Sequence, residues 1–466
     1  MAGNICNSSA FVFAQMKVSY HCVPALAILV VLLLLYLNCQ GYATSKLTPS
    51  HVRMSFSNET ENNLEISKII PFNNTRLSSL SIDSISNRVY VSGAPDHSST
   101  NPSTHCLQQD TTESSIFLSS NFSCSLIYIL DGNTGQLNNI FRLRYGEHIH
   151  DIDLDPHSGK VYAAGEYNYL ENVTTVNEEL IQYEDDVIYV INGTKVTSPD
   201  TITANDIQRI RLYGELEQGK EGDMSSIALD SNTNIVYASI RYFQGGREGV
   251  FIVDIDNNTT TYEIHSNDIT PTTKLNATNA SATNLIKFIP LGDTGPDQIL
   301  VNNNTKAIYT SLENDDFVGL IDAINNTVQE KIILQEPRAM SINPSSGLLY
   351  VASGTSHWFN VIDMNTSKVI SANTQIAYPV ASVANKITGK VYVADCLLCD
   401  DSDFTNGTSI YELDSNGSTI NWEAYYNINI KENGLAINPS TNKLYAIGTD
   451  LQSGMPNLYV INTSLQ

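Results

Sequence analysis

The chain has 466 residues, with 25 Lys+Arg against 49 Asp+Glu and a formal net charge of −24. That balance, with no basic stripe, excludes a nucleic-acid binder, because neutralising phosphates takes clustered Lys and Arg. Only 16 % of residues are charged and 42 % are hydrophobic, which excludes a disordered acidic polymer and leaves ample material for a folded core.

Residues 1–22 carry a single Lys, Lys17, ahead of the apolar run VPALAILVVLLLLYL at 23–37. As a helix those residues reach about 22 Å, short of the roughly 30 Å of a bilayer core. Gly41 and Ala43 supply the small-x-small pattern of a signal-peptidase site. Segment 23–43 therefore reads either as a signal peptide cleaved after Ala43 or as a retained membrane anchor. In both cases residues 44–61 form a linker and the chain beyond lies outside the membrane. Fifteen Asn-x-Ser/Thr sequons follow Ala43, among them Asn58, Asn121, Asn172, Asn276, Asn365, Asn406 and Asn462, and loop-borne ones are glycosylation candidates on an exported protein. Four cysteines lie outside the targeting segment, and their even number in an oxidising compartment suggests two disulfides, Cys106–Cys124 and Cys396–Cys399, while Asp400, Asp401 and Asp403 beside the CxxC offer a weaker calcium alternative.

One unit then recurs seven times, clearest in AMSINPSSGLLYVASG (339–354), GLAINPSTNKLYAIG (434–448) and DIDLDPHSGKVYAAG (151–165). Each copy places an Asp or Asn seven residues before a Tyr: Asp83/Tyr90, Asp155/Tyr162, Asp230/Tyr237, Asn302/Tyr309, Asn343/Tyr350, Asn385/Tyr392 and Asn438/Tyr445. The Asx opens a turn by bonding backbone, and a Gly or Asn further on accepts positive φ, so each unit is a hairpin of two strands. A third strand ends in an acidic or amide residue (IYILD at 127–131, NVID at 360–363) and a fourth leads to the next copy. Four strands per unit and seven units predict an all-β, seven-bladed β-propeller of four-stranded antiparallel blades over 62–466. The last copy supplies three strands, and LEISKII at 64–70 resembles the fourth strand elsewhere, so an N-terminal strand is expected to close the ring.

The pattern, best seen in NPSSGLLYVASGTSHWFNVIDMNTSKVI (343–370) and IPLGDTGPDQILVNNNTKAIYTS (289–311), resembles the YVTN-repeat β-propellers of exported and surface proteins. The resemblance implies the fold and an extracellular or surface setting. It implies no catalytic residues, because the family pattern consists of turn and packing positions.

Successive repeat Tyr residues are 72, 75, 72, 41, 42 and 53 apart, so several blades carry insertions, at 94–124, 166–184, 240–249, 396–409 and 449–456 between second and third strands. These open on one mouth of the channel, where loop-borne function is expected. The stretch 255–283 emerges on the opposite side if LIKFIPLG (285–292) is a fourth strand. At the elaborated mouth, HIHDIDLD puts His148 and His150 at alternate positions beside Asp151 and Asp153, residue types able to hold a divalent metal. The same carboxylates can instead hydrogen-bond to neighbouring blades. Arg76, Arg338 and Lys431 precede inner strands and Arg241 and Arg247 flank a Gly-Gly turn, forming a candidate rim for an acidic or sugar-acid ligand or a merely solvated edge. Nucleophile-elbow, Walker, HExxH, dinucleotide and CxxCH motifs are absent from the sequence. The expected function is an exported or cell-surface binding module without enzymatic activity, meeting a surface protein or a glycan and the membrane only through 23–37. The alternative is a metal-assisted hydrolase or lactonase with its site at the channel mouth.

Overall fold

The computed structural model describes residues 64–95, 106, 124–172, 180–193, 207–212, 222–242, 248–255, 286–292, 295–322, 325, 327–354, 357–396, 407–425 and 427–463. The targeting segment 23–43 and the linker 44–61 lie outside these residues; among those described, no helix is long and apolar enough to cross a membrane.

Seven four-stranded antiparallel sheets form a ring. Blade 1 is β2 (Thr75–Asp83), β3 (Arg88–Pro95), β4 (Leu126–Asp131) and β5 (Leu137–Arg142). Blade 2 is β6 (Glu147–Asp155), β7 (Lys160–Asn172), β8 (Leu180–Asn192) and β9 (Ile207–Leu212). Blade 3 is β10 (Gly222–Asp230), β11 (Ile235–Tyr242), β12 (Glu248–Asp254) and β13 (Ile286–Gly292). Blade 4 is β14 (Gln298–Asn302), β15 (Ala307–Leu312), β16 (Phe317–Asp322) and β17 (Thr327–Ile333). Blade 5 is β18 (Pro337–Asn343), β19 (Leu348–Ser353), β20 (Trp358–Asp363) and β21 (Lys368–Asn373). Blade 6 is β22 (Pro379–Ala384), β23 (Val391–Cys396), β24 (Thr408–Leu413) and β25 (Thr419–Tyr425). Blade 7 is β26 (Ile428–Asn438), β27 (Lys443–Asp450), β28 (Pro456–Asn462) and, from the other end of the sequence, β1 (Glu65–Pro71). Strand β1 pairs with β28 from Glu65 opposite Asn462 to Pro71 opposite Asn457, so the ring closes through the N-terminal strand. Closure removes the gap that an open propeller would present to other chains.

The repeated residues do the same work in every blade. Each anchor Asx is buried and accepts hydrogen bonds at its turn, as when the Ile387 and Thr388 amides donate to Asn385 at 2.9 and 3.2 Å. Four residues on, the backbone is left-handed in all seven: Asn87, Gly159, Asn234, Lys306, Gly347, Gly389 and Asn442. Lys306 departs from the expected Gly or Asn. Its Nζ reaches Asp230 of blade 3 at 2.6 Å, an ion pair across the blade boundary that compensates for the unfavourable φ of 64°. All seven repeat tyrosines are buried, and some pin the next blade: Tyr350 Oη donates to the Ser415 carbonyl and Tyr445 Oη to that of Gly132 across the ring closure. The described core falls into seven clusters, one per blade boundary. Middle strands are covered on both faces, which explains why LLYVAS in β19 is buried throughout rather than alternating.

One insertion differs from expectation. Residues 166–172 and 180–184 are not loop but strand: β7 and β8 pair without interruption from Lys160 opposite Asn192 to Asn172 opposite Leu180. Alternation in Tyr167, Tyr169, Ile181 and Tyr183 suits a two-stranded extension.

Candidate functional site

Inner strands start at the elaborated mouth and end at the Asx turns. Six of the seven carry a register shift near their start, between Leu77 and Ser79, Ile149 and Asp151, Met224 and Ser226, Pro337 and Met340, Pro379 and Ala381, and Ile430 and Leu435. A bulge leaves a residue unpaired and re-aims its side chain. The position is the same throughout, five residues before the anchor Asx: Ser78, His150, Ser225, Arg338, Val380 and Asn433, with Asp297 at the equivalent place just ahead of β14. In blade 7 the bulge widens to Lys431–Gly434, and Asn433 is left-handed at φ 54°. The strands enclose a channel cavity of about 340 Å³ lined by His150, Asp151, Asp153, Lys431 and Glu432 among others.

Ion pairs link the blades around this mouth. Arg241 Nη1 meets Asp297 Oδ1 at 2.6 Å, Arg338 is held by Glu313, and the Arg338 guanidinium also lies 6.0 Å from the centre of the Tyr378 ring. His150 Nε2 lies 3.2 Å from Glu166 Oε2, and Lys431 Nζ donates to the Ser78 carbonyl at 2.6 Å. Burial alone would lower His150, but the hydrogen bond and charge of Glu166, with the charge of Asp223, hold it above its ordinary value. Burial pushes Asp297 up to about 6 despite the Glu313 amide and Arg241. It also raises Asp223 and Glu432, against the opposing charges of His150 and Arg338 respectively. Desolvation lowers Lys431, with Asp151 and Glu432 opposing. Asp395, at the mouth end of β23, is buried to a pKa of about 6 while accepting the Tyr378 amide.

The metal quartet expected at 148–153 is not assembled. The bulge at His150 breaks the alternation that would put His148 beside it: His148 stays in register opposite Glu166, whereas His150, Asp151 and Asp153 face the channel cavity. The carboxylates serve the blade joints. Asp151 accepts from Ser79 Oγ (2.7 Å), Ser226 Oγ (2.8 Å) and the Ile227 and Ile152 amides, tying blades 1, 2 and 3 together. Asp153 accepts from the Leu154 and Leu229 amides, and burial, assisted by the nearby charges of Asp151 and Asp155, raises it to about 6. Among the described residues no group of three His, Cys, Asp or Glu side chains is placed to hold a metal. The expected basic rim is also different in kind: Arg241, Arg338 and Lys431 are gathered at the mouth but partnered by carboxylates or a carbonyl, because burial there requires a counter-charge. Arg76 sits on β2 opposite Ala94, and Arg247 lies outside the described residues. The hydroxyls of Ser78 and Ser225 at the mouth are likewise engaged: Ser78 Oγ meets Ser92 Oγ at 2.7 Å, and Ser225 Oγ meets Ser239 Oγ and the Pro296 carbonyl.

Cys106 and Cys124 form a disulfide with Cα atoms 5.8 Å apart, closing the first mouth insertion. Cys396 is disulfide-bonded, and Cys399 lies outside the described residues. So do Asp400, Asp401 and Asp403, and Asn58, Asn121, Asn276 and Asn406; Asn172 ends β7, and Asn365 and Asn462 are exposed. Asp297, Glu313, Glu166, Glu432 and Asp395 complete the mouth and were not singled out by sequence motifs. The signal that finds Asp297 is positional, since it stands at the bulge place of its repeat.

No family model matches the chain, and no curated protein does. Among solved structures 1102 chains match, a breadth that belongs to a shared fold rather than to a shared activity. One of them, from "Crystal Structure of Mitotic Checkpoint Complex", aligns with a TM-score of 0.56 at 9 % identity, covering 91 % of this chain and 100 % of that one. The chain is a seven-bladed β-propeller. At that identity the likeness speaks for the propeller fold and for nothing carried at the mouth of this propeller's channel.

Proposed function

We propose that this propeller, of the YVTN-repeat type, is an exported or cell-surface binding module that meets a surface protein or a glycan through the mouth of its channel. The observation that carries the reading is the ring at the bulges. Packing and turn positions repeat almost unchanged around the molecule, whereas the bulge place holds Ser, His, Ser, Asp, Arg, Val and Asn in turn. A ring that were only structural would be filled by the same small residues each time. Trp358, at the mouth end of β20, adds a 52 % exposed indole on the same side, a surface suited to a sugar ring or a flat apolar contact. A catalytic reading lacks a comparable support, since the acids and the histidine of the channel are engaged with neighbouring blades and with each other.

The test uses the labelled full chain against immobilised surface proteins and glycans from its own cells. Replacing His150, Arg338 and Glu432 together by Ala should weaken binding at least tenfold. Replacing Ile85 and Ile387, exposed in hairpin turns at the far end, by Ser should leave it unchanged. Equal binding by both variants and the parent would remove the mouth from consideration.

A further inference from the structure

The end opposite the mouth carries a second regularity. In the sequence an Asn-x-Ser/Thr sequon falls at or within three residues after the Asp or Asn that ends the third strand in six of seven copies: Asn192, Asn257, Asn325, Asn365, Asn416 and Asn462. The seventh copy, Asn133-Thr134-Gly135, lacks only the hydroxyl. Strand pairing puts the ends of the third strands at the Asx end, since Asp363 lies opposite Leu348, which lies opposite Asn343. Asn365 and Asn416 keep one place in adjacent blades, two residues past the Asp at the end of the third strand.

Geometry separates these sites. In Asn365-Thr366-Ser367 and Asn416-Gly417-Ser418 the complete sequon is described, both asparagines are exposed, and neither asparagine amide nor serine hydroxyl has a hydrogen-bond partner among the described residues. Their backbones are engaged instead: the Asn365 and Thr366 amides donate to Asp363 and the Asn416 and Ser418 amides to Asp414, while the Gly417 and Ser418 carbonyls accept from Asn373 Nδ2 and the Asp414 amide. Asn325, by contrast, gives its Nδ2 to Asp322 at 2.6 Å. Asn303, in the sequon of a β14–β15 turn, is half-buried with an Oδ1 closed to solvent. A second observation bears on Asn365. Ser367 stands at φ 53°, where the equivalent residue of blade 1 is Gly135 at φ 62°, so a hydroxyl is kept at a place where glycine is easier.

We infer that Asn365 and Asn416 are N-glycan acceptors, and that adjacent blades 5 and 6 carry their sugars at the end of the propeller facing away from its partner. In the transfer, asparagine Nδ2 forms a bond to the anomeric carbon of a lipid-phosphate-linked oligosaccharide. The bond from that carbon to the phosphate oxygen breaks, the lipid phosphate leaves as the anion, and the amide gives up one proton. The hydroxyls of Ser367 and Ser418 complete the acceptor motif. This inference rests on the export reading, because the donor and its transferase act on exported chains.

The experiment is glycopeptide mass mapping of the full chain from an exporting, N-glycosylating cell, with external protease on intact cells reporting whether the propeller is outside. Glycan mass is expected on the Asn365 and Asn416 peptides and absent from that of Asn303. N365Q and S367A should each remove one glycan from the intact mass, and S367T should retain it. A protease-accessible propeller with bare Asn365 and Asn416 overturns the inference and leaves export standing; a bare propeller that protease cannot reach overturns both. Glycan on Asn303 overturns the geometric selection.

Discussion

At the turn end of the channel three Asp and four Asn perform one task seven times, while five residues earlier in the same strands the side chain changes from blade to blade. Particular acids at the two ends behave oppositely. Asp131 is held below its ordinary value by the Thr134 backbone amide and hydroxyl, and Asp155, although burial works against it, by Ser158 and the His157 amide. At the mouth, burial prevails and raises Asp297 and Asp395 to about 6. Ionisation of Asp131 and Asp155 thus stabilises the fold, whereas Asp297 and Asp395 are ionised at neutral pH against a folding cost. Such a cost is what a binding face tolerates.

The largest effect should come from the turn end. Asp230 is buried, accepts from the Asn232 amide at 3.1 Å and Thr233 Oγ1 at 2.6 Å, and pairs with Lys306 of the next blade. Asp230→Leu leaves those donors and the ammonium uncompensated, at about 3 kcal/mol or more. His150→Ala at the mouth removes a contact to Glu166 from a side chain 38 % exposed, worth under about 1 kcal/mol. Denaturant midpoints of the two full-length variants should therefore differ widely. Equal losses would mean that the mouth is as much a part of the scaffold as the turns.

A smaller effect sharpens the electrostatic side of the comparison. Asp395 has a folded pKa of about 6 against an ordinary carboxylate value of 3.8. The folded state therefore holds the proton more tightly than the unfolded one. Its stabilising contribution is fully present below about pH 4 and is lost as pH rises through 6, by about 2–3 kcal/mol in all. Asp395→Asn keeps an acceptor for the Tyr378 amide and cannot ionise, so the variant should gain on the parent in thermal midpoint between pH 4 and pH 7. A parallel pair of pH profiles would show that burial does not govern this carboxylate.

The turn end could be read from sequence because its chemistry is local: an Asx, a left-handed residue and a Tyr at fixed spacing specify a hairpin without reference to the rest of the ring. The same spacing gave the blade count, and LEISKII could be assigned to blade 7 because it resembles fourth strands elsewhere. The mouth could not be read so well. His148 and His150 look like neighbours on one face until a bulge between Ile149 and Asp151, which no local residue pattern announces, turns one of them. Arg241 and Arg338 look free until Asp297 and Glu313, 56 and 25 residues away in sequence, are folded against them. The β7–β8 extension was missed for a related reason, since its pairing depends on a partner segment rather than on its own turn residues.

The smallest effect lies within the turn end and tests how uniform it is. Ser367 occupies the left-handed place that Gly135 fills in blade 1. A left-handed conformation costs a non-glycine residue about 1–2 kcal/mol, and glycine forfeits about 0.5–1 kcal/mol of that gain through its freer unfolded chain. Ser367→Gly should therefore raise stability by about 0.5 kcal/mol when the unglycosylated chains are compared by denaturant titration. The same substitution deletes the hydroxyl of the sequon, so in a glycosylating cell it should yield a chain that lacks the Asn365 glycan. A serine retained only by chance predicts the first result without the second. Loss of stability on the change to glycine would show that the hydroxyl serves the turn itself.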